Sequence, residues 1–164
     1  MKALVVYESM FGNTERLARA VADGLAAGGA EVHVRPVAQA GGVVDYDLVV
    51  LGAPTHAFSL SRPSARADAV RQGAAPARVG SSGLREWLDE LPETGPAPRF
   101  ATFDSRADKA RHLPGSAARR TARALRSGHH PVSTRPASFY VRDVDGPLLD
   151  GEEDRARDWG RQLA

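Results

Sequence analysis

The stretch KALVVYESMFGNTERLARAVADGLAAGG, residues 2–29, decides the fold. From Lys2 to Tyr7 it is a β-branched apolar run with no polar residue after the lysine, as a strand buried on both faces of a parallel sheet requires. Glu8 to Asn13 reads as a turn. Leu17, Val21 and Leu25 then recur at helical spacing beside Ala18 and Ala22, and Gly28 and Gly29 supply the stop. The order is strand, loop, helix. Free backbone N–H groups at such a helix start, together with the helix dipole, bind an anion without a lysine, and Ser9, Asn13 and Thr14 add side-chain hydrogen bonds. No Gly-Lys-Ser/Thr follows, so this is not a P-loop, and Gly12 stands alone where a pyrophosphate turn needs several glycines. A terminal monophosphate is the expected guest.

The same unit repeats along the chain. Residues 31–37 (EVHVRPV) alternate Val32 and Val34 with Glu31, His33 and Arg35, the pattern of an edge strand, whereas residues 46–53 (YDLVVLGA) return to a continuous apolar run and belong at the centre. Residues 64–72 read as helix, 73–83 (GAAPARVGSSG) as loop, and 83–91 as helix with Trp87 in the core. A fourth strand is expected at 99–103 (RFATF) and a helix at 115–128 with Ser116 as N-cap and Gly128 as stop. A fifth strand follows at 138–141, then a terminal helix from 151 whose early acids and later arginines suit its dipole. Strands alternating with helices predict an α/β fold: one domain over residues 1–164, a doubly wound five-stranded parallel sheet in the order 2-1-3-4-5. Ligands then sit beyond the carboxyl ends of the strands, in loops 8–14, 54–62 and 104–116.

Composition sets the outer bounds. The 164 residues are 42% hydrophobic and 26% charged, and the absence of cysteine excludes disulfides, thiolate catalysis and iron–sulfur ligation. No run approaches a membrane span, and the apolar start is too short for a signal peptide, so a cytoplasmic location without a membrane partner is expected. No Gly-x-Ser-x-Gly elbow is present, and His129-His130 before Pro131 reads as a loop, not a metal site. Net charge is only +2, but residues 62–135 carry fourteen basic against seven acidic side chains. The arginines at 119, 120, 123 and 126 share a helix with Ala118, Ala122 and Leu125, which leaves them for solvent or an acidic protein partner; nucleic acid is not expected.

Val5 to Val21, with its aromatic strand end, Ser9, Gly12 and Thr14 in register, resembles the flavodoxin signature, and the Ser-Met-Phe-Gly form is also similar to the flavodoxin-like quinone reductases. Asp47 to His56 and the C-terminal stretch Asp143 to Trp159 resemble the same family, with the length of its short-chain type. The resemblance implies FMN as cofactor. Ser9, Met10, Phe11, Gly12, Asn13 and Thr14 would hold the phosphate; Pro54, Thr55, His56, Ala57 and Phe58 would line one side of the flavin, and Asp104, Ser105 and Arg106 the other. It further implies a redox protein carrying electrons between partner proteins, the alternatives being an FMN-dependent NAD(P)H:quinone-type oxidoreductase acting on a small quinone-like acceptor, and a binding module of this fold without flavin.

Three departures shape those expectations. Electron-shuttling flavodoxins are acidic, whereas this chain has a pI near 9.4, which points toward acidic partners. Residues 104–111 hold no aromatic to cover the flavin, which leaves one face open. The turn PTHAFS, residues 54–59, has no glycine, so a positive φ at Ala57 would cost about 1 kcal/mol. With Arg106, Lys109 and Arg111 placing positive charge beside the flavin, the two one-electron potentials are expected to lie closer together than in an acidic flavodoxin.

Overall fold

Alternation along the central strands builds two cores, one on each face of the sheet. In the computed structural model, which describes residues 1–92 and 97–164, β1 (Lys2–Tyr7) sends Ala3, Val5 and Tyr7 to one face and Leu4 and Val6 to the other, and all are buried. β3 (Leu48–Pro54) divides in the same way, with Leu48 and Val50 against Val49 and Leu51. Such strands need helices on both sides. α1 (Asn13–Ala27) and α6 (Glu152–Leu163) cover the first face through Leu17, Val21, Leu25, Ala156 and Leu163. α4 (Leu84–Asp89) and α5 (Ala117–Ser127) cover the second through Leu84, Trp87 and Leu125. α1 and α6 touch backbone to backbone: a Cβ on Gly24 would stand 2.0 Å from the Arg157 carbonyl oxygen, and one on Gly160 2.2 Å from that of Val21.

The sheet runs β2-β1-β3-β4-β5-β6, with β2 (Glu31–Pro36) at the edge, as its alternation predicts, and parallel pairing from β2 through β5. It has six strands, where the sequence pattern indicates five. β6 (Gly146–Leu148) turns back antiparallel on β5 (Ala137–Asp143), and its three residues are too few for any period to show. β4 (Arg99–Ala107) is also longer than the expected 99–103, so Asp104, Ser105 and Arg106 belong to a strand and not to a loop. Within residues 73–83, read as a loop, Pro76–Val79 forms a one-turn helix, α3, after α2 (Pro63–Arg71). No helix among the described residues is long and apolar enough to cross a membrane.

A buried charge network ties α2 and α4 to the end of β1. Glu8, 3% exposed, accepts from the Ser61 hydroxyl and from the Leu84 amide at 2.8 Å. Arg66, equally buried, donates to Ser61 Oγ at 3.0 Å and to Glu86 Oε1 at 2.7 Å. Burial pushes the Glu86 carboxyl up, but the Arg66 guanidinium and the Gly83 amide outweigh it and hold the group below the usual carboxylate range.

Candidate functional site

Loop 8–14 leaves β1 and enters α1 through Gly12, which sits at φ +95° as N-cap and contributes no side-chain cap. Any side chain is strained at that φ, a β-branched one most of all. Gly12 N donates to Ser9 Oγ at 3.1 Å, and the first intrahelical bond is Arg16 N to the Gly12 carbonyl. None of the described hydrogen bonds uses the amides of Asn13, Thr14 and Glu15, so three N–H groups stand free at the positive end of a fifteen-residue helix.

A cavity of about 180 Å³ opens beside this loop. Its walls are Ser9, Met10, Phe11, Asn13 and Thr14 from the first loop, Pro54, Thr55, His56 and Ala57 from the end of β3, and Ser105 and Arg106 from β4. Eleven of the fourteen residues singled out in the sequence therefore share one pocket. Gly12 lies on the outer side of its loop, toward Arg78, and Phe58 stands half exposed at the tip of its turn. Asp104 does not line the pocket: the alternation of β4 turns it toward α5, where its carboxylate accepts from Ala118 N at 2.9 Å. Burial pushes that carboxyl above its usual range, against the opposing pull of the Ala118 amide and of the nearby Arg106 charge. Met10 reaches the pocket's wall, but its side chain is 2% exposed and packs with Ala69, Ala74 and Val79, so it anchors α2 and α3 to the loop.

Ala107, Val141 and Val144 also line the pocket and were not anticipated. Ala107 ends β4, and Val141 and Val144 arrive with the β5–β6 hairpin, which closes on the first loop where Asn13 Nδ2 donates to the Asp145 carbonyl at 3.1 Å. The turn residues Asp145 and Gly146 were a usable signal for that hairpin.

The second loop is strained. His56 and Ser59 exchange backbone hydrogen bonds of 2.8 and 2.9 Å around Ala57 at φ +45° and Phe58 at φ +64°. Two consecutive left-handed residues suit a tight hairpin turn that Asn-Gly usually fills, so the expected cost at Ala57 is met twice, at about 1–2 kcal/mol per residue. Non-glycine residues held in this conformation cluster at ligand sites.

Polar groups left without partners point the same way. Among the described residues, three buried side-chain atoms have no hydrogen bond: His56 Nε2, Arg106 Nε and Asp104 Oδ1. His56 and Arg106 line the pocket; Asp104 is buried on the α5 side of β4. Buried unpaired polar atoms are costly, and a molecule with a polar edge bound in the pocket would relieve those of His56 and Arg106. Burial holds the His56 imidazole below its ordinary range, so near neutral pH it is uncharged, with Nε2 buried and unpaired in a residue that lines the pocket. Thr14 Oγ1 and Ser105 Oγ lie 2.8 Å apart across the cavity floor.

The charge expected near the pocket is smaller than the sequence suggests. Lys109 pairs with Asp143 at 3.0 Å, and Arg111 with Asp108 at 2.7 Å while lying over the Tyr140 ring. Arg106, 5% exposed, bonds to the carbonyls of Ala110 and Leu113 and enters none of the described ion pairs, although its charge is felt by the Asp104 carboxyl. The expectation of converging potentials rests on this one cation.

Residues 5–71 match the family model for flavodoxin. A flavodoxin from the domain Archaea superposes over 100% of this chain and 96% of its own, with a TM-score of 0.70 at 18% identity. Oxidised flavodoxin 1 from Bacillus cereus covers 99% and 97% (TM-score 0.68, 16% identity), and the Streptococcus pneumonia TIGR4 flavodoxin 99% and 97% (0.64, 17%). No curated protein sequence matches the chain. The signature over residues 5–71 is thus that of flavodoxins, a family whose members bind FMN, and the whole chain shares the flavodoxin fold.

Proposed function

We propose that this protein binds FMN in the pocket between loop 8–14, the β3 turn and β4, and carries electrons between partner proteins, acidic ones being favoured by its basic middle segment. The observation that carries the reading is the convergence of three unbonded α1 amides with the unpartnered polar atoms of His56 and Arg106 on one cavity. The amides of Asn13, Thr14 and Glu15, with the hydroxyls of Ser9 and Thr14, would take the phosphate. Pro54, Thr55, His56 and Ala57 would flank the flavin on one side, Ser105 and Arg106 on the other, with Phe58 at the rim. FMN when bound supplies the one- and two-electron chemistry; the chain supplies binding, exclusion of water and a fixed positive charge at Arg106.

Thr14→Val is expected to weaken FMN binding by about 1–3 kcal/mol through loss of a buried hydroxyl, and Gly12→Val by more because of its backbone conformation. Fluorescence titration of FMN with each variant reads the loss, and unchanged affinity in both would move the site elsewhere.

The alternative of a self-sufficient NAD(P)H:quinone oxidoreductase draws support from the open flavin face implied by the lack of an aromatic in residues 104–111. The two readings part in one assay. The FMN-loaded protein with NADPH and menadione should show no turnover above free FMN, and sustained oxidation of NADPH would install the oxidoreductase in place of the carrier.

A further inference from the structure

From Lys109 to Arg142 the chain has no aspartate or glutamate, yet it carries Lys109, Arg111, Arg119, Arg120, Arg123, Arg126, Arg135 and Arg142. Lys109 and Arg111 are engaged with Asp143 and Asp108. The four exposed arginines of α5 enter none of the described ion pairs. Arg119, Arg123 and Arg126 follow one another at i, i+4 and i+7, so they share a helix face, about 100° round from the buried Ala118, Ala122 and Leu125, and repel one another. With Ser127 and Pro136 they line an open groove of about 560 Å³. Asp89 borders the other flank of the helix, beside Ala124 and Gly128, and not this groove.

The N-terminal end of the helix that carries the strip abuts the second loop of the FMN pocket. Ala117 N, at the start of α5, donates to Thr55 Oγ1 at 2.9 Å, and a Cβ on Gly115 would stand 3.0 Å from that of Phe58. Three of the large apolar side chains left exposed belong to segments next to the pocket: Val144 lines it, Phe58 follows the lining residue Ala57, and the Leu113 carbonyl accepts from the lining residue Arg106. An apolar centre bordered by charges of one sign is the anatomy of a protein–protein docking face.

We propose that the arginine face of α5 is a docking strip for an acidic segment of the protein with which this chain exchanges electrons, and that it seats the partner against the apolar mouth of the FMN pocket. The partner's role rests on the electron-carrier reading; the charge of the strip does not. Carboxylates spaced along a helix or extended segment can each take one guanidinium in bidentate fashion and remove the repulsion among Arg119, Arg123 and Arg126. The apolar mouth favours a protein over nucleic acid, whose phosphates would engage the arginines and leave Phe58, Leu113 and Val144 in water.

The test is an NMR titration of the full isotope-labelled chain with cytochrome b5 as an acidic probe, cytochrome c as a basic one and a 20-base-pair DNA duplex, each with and without FMN. The acidic probe should shift amides along α5 and around Phe58, with affinity falling about tenfold between 20 and 150 mM salt. Arg119→Glu/Arg123→Glu/Arg126→Glu should lose at least tenfold in that affinity while FMN affinity stays unchanged. Arg123→Gln alone, a milder change, should lose about two- to threefold. Acidic-probe shifts absent from α5, affinity unchanged in both variants, or tighter binding of duplex DNA at 150 mM salt would each overturn the strip. Absorbance titration of the same sample reads FMN separately: shifts on α5 without FMN binding keep the strip and remove the electron-transfer role, and FMN binding without those shifts does the reverse.

Discussion

Arg66→Ala is expected to lower the free energy of unfolding by about 3 kcal/mol, toward the low end for breaking a buried ion pair because Glu86 keeps a third of its side chain in water. Arg66 is 3% exposed and bridges Ser61 on the β3–α2 connection to Glu86 on α4, while Glu8 from the end of β1 holds the same Ser61 and the Leu84 amide. Its removal leaves two carboxylates around Gly83 without their cation. Arg66→Met retains the packing of the stem and should lose nearly as much, which separates charge from volume.

The pH dependence gives the sign. Glu86 titrates below its unfolded value of 4.5 in the folded protein, so its pairing contributes fully above about pH 4.5 and is lost as pH falls through the lower, folded value. The gap between wild type and Arg66→Ala should therefore be widest near neutrality and narrow on acidification below that point. Chemical denaturation at pH 7 and pH 4 measures it; a gap that is small at pH 7, or that widens in acid, would show the network to be incidental.

Much of the fold was legible because the central strands are buried on both faces and therefore read as unbroken apolar runs, from Leu4 to Val6 and from Leu48 to Leu51. The edge strand was legible for the opposite reason: Val32 and Val34 alternate with polar residues that reach water. The far end of β4 was hidden, since Asp104-Ser105-Arg106 looks like loop chemistry although all three side chains are buried and serve the α5 cap, the cavity floor and the carbonyls of the following loop. Polar residues at a strand's carboxyl end are where a site overrides the hydrophobic pattern.

Within the pocket, the first loop could be read because an apolar strand, a lone glycine and a helix start fix its geometry locally. The second could be read for its residues but not its shape, because neither Ala57 nor Phe58 announces a left-handed conformation. The neutralisation of Lys109 by Asp143 spans 34 positions and depends on β5 lying beside β4, which no local pattern encodes.

The central claim is that the free amides at the start of α1 hold the phosphate of FMN, and titration of the chain with FMN and with riboflavin tests it most directly. Charge-assisted hydrogen bonds to a phosphate are worth about 1.5–3 kcal/mol each, so two of them correspond to roughly two to four orders of magnitude in Kd. Isothermal titration at pH 7 should show one FMN per chain, bound at least a hundredfold more tightly than riboflavin, with inorganic phosphate competing against FMN and not against riboflavin. Equal affinity for the two flavins, or no competition by phosphate, would contradict the assignment of loop 8–14 as the phosphate site.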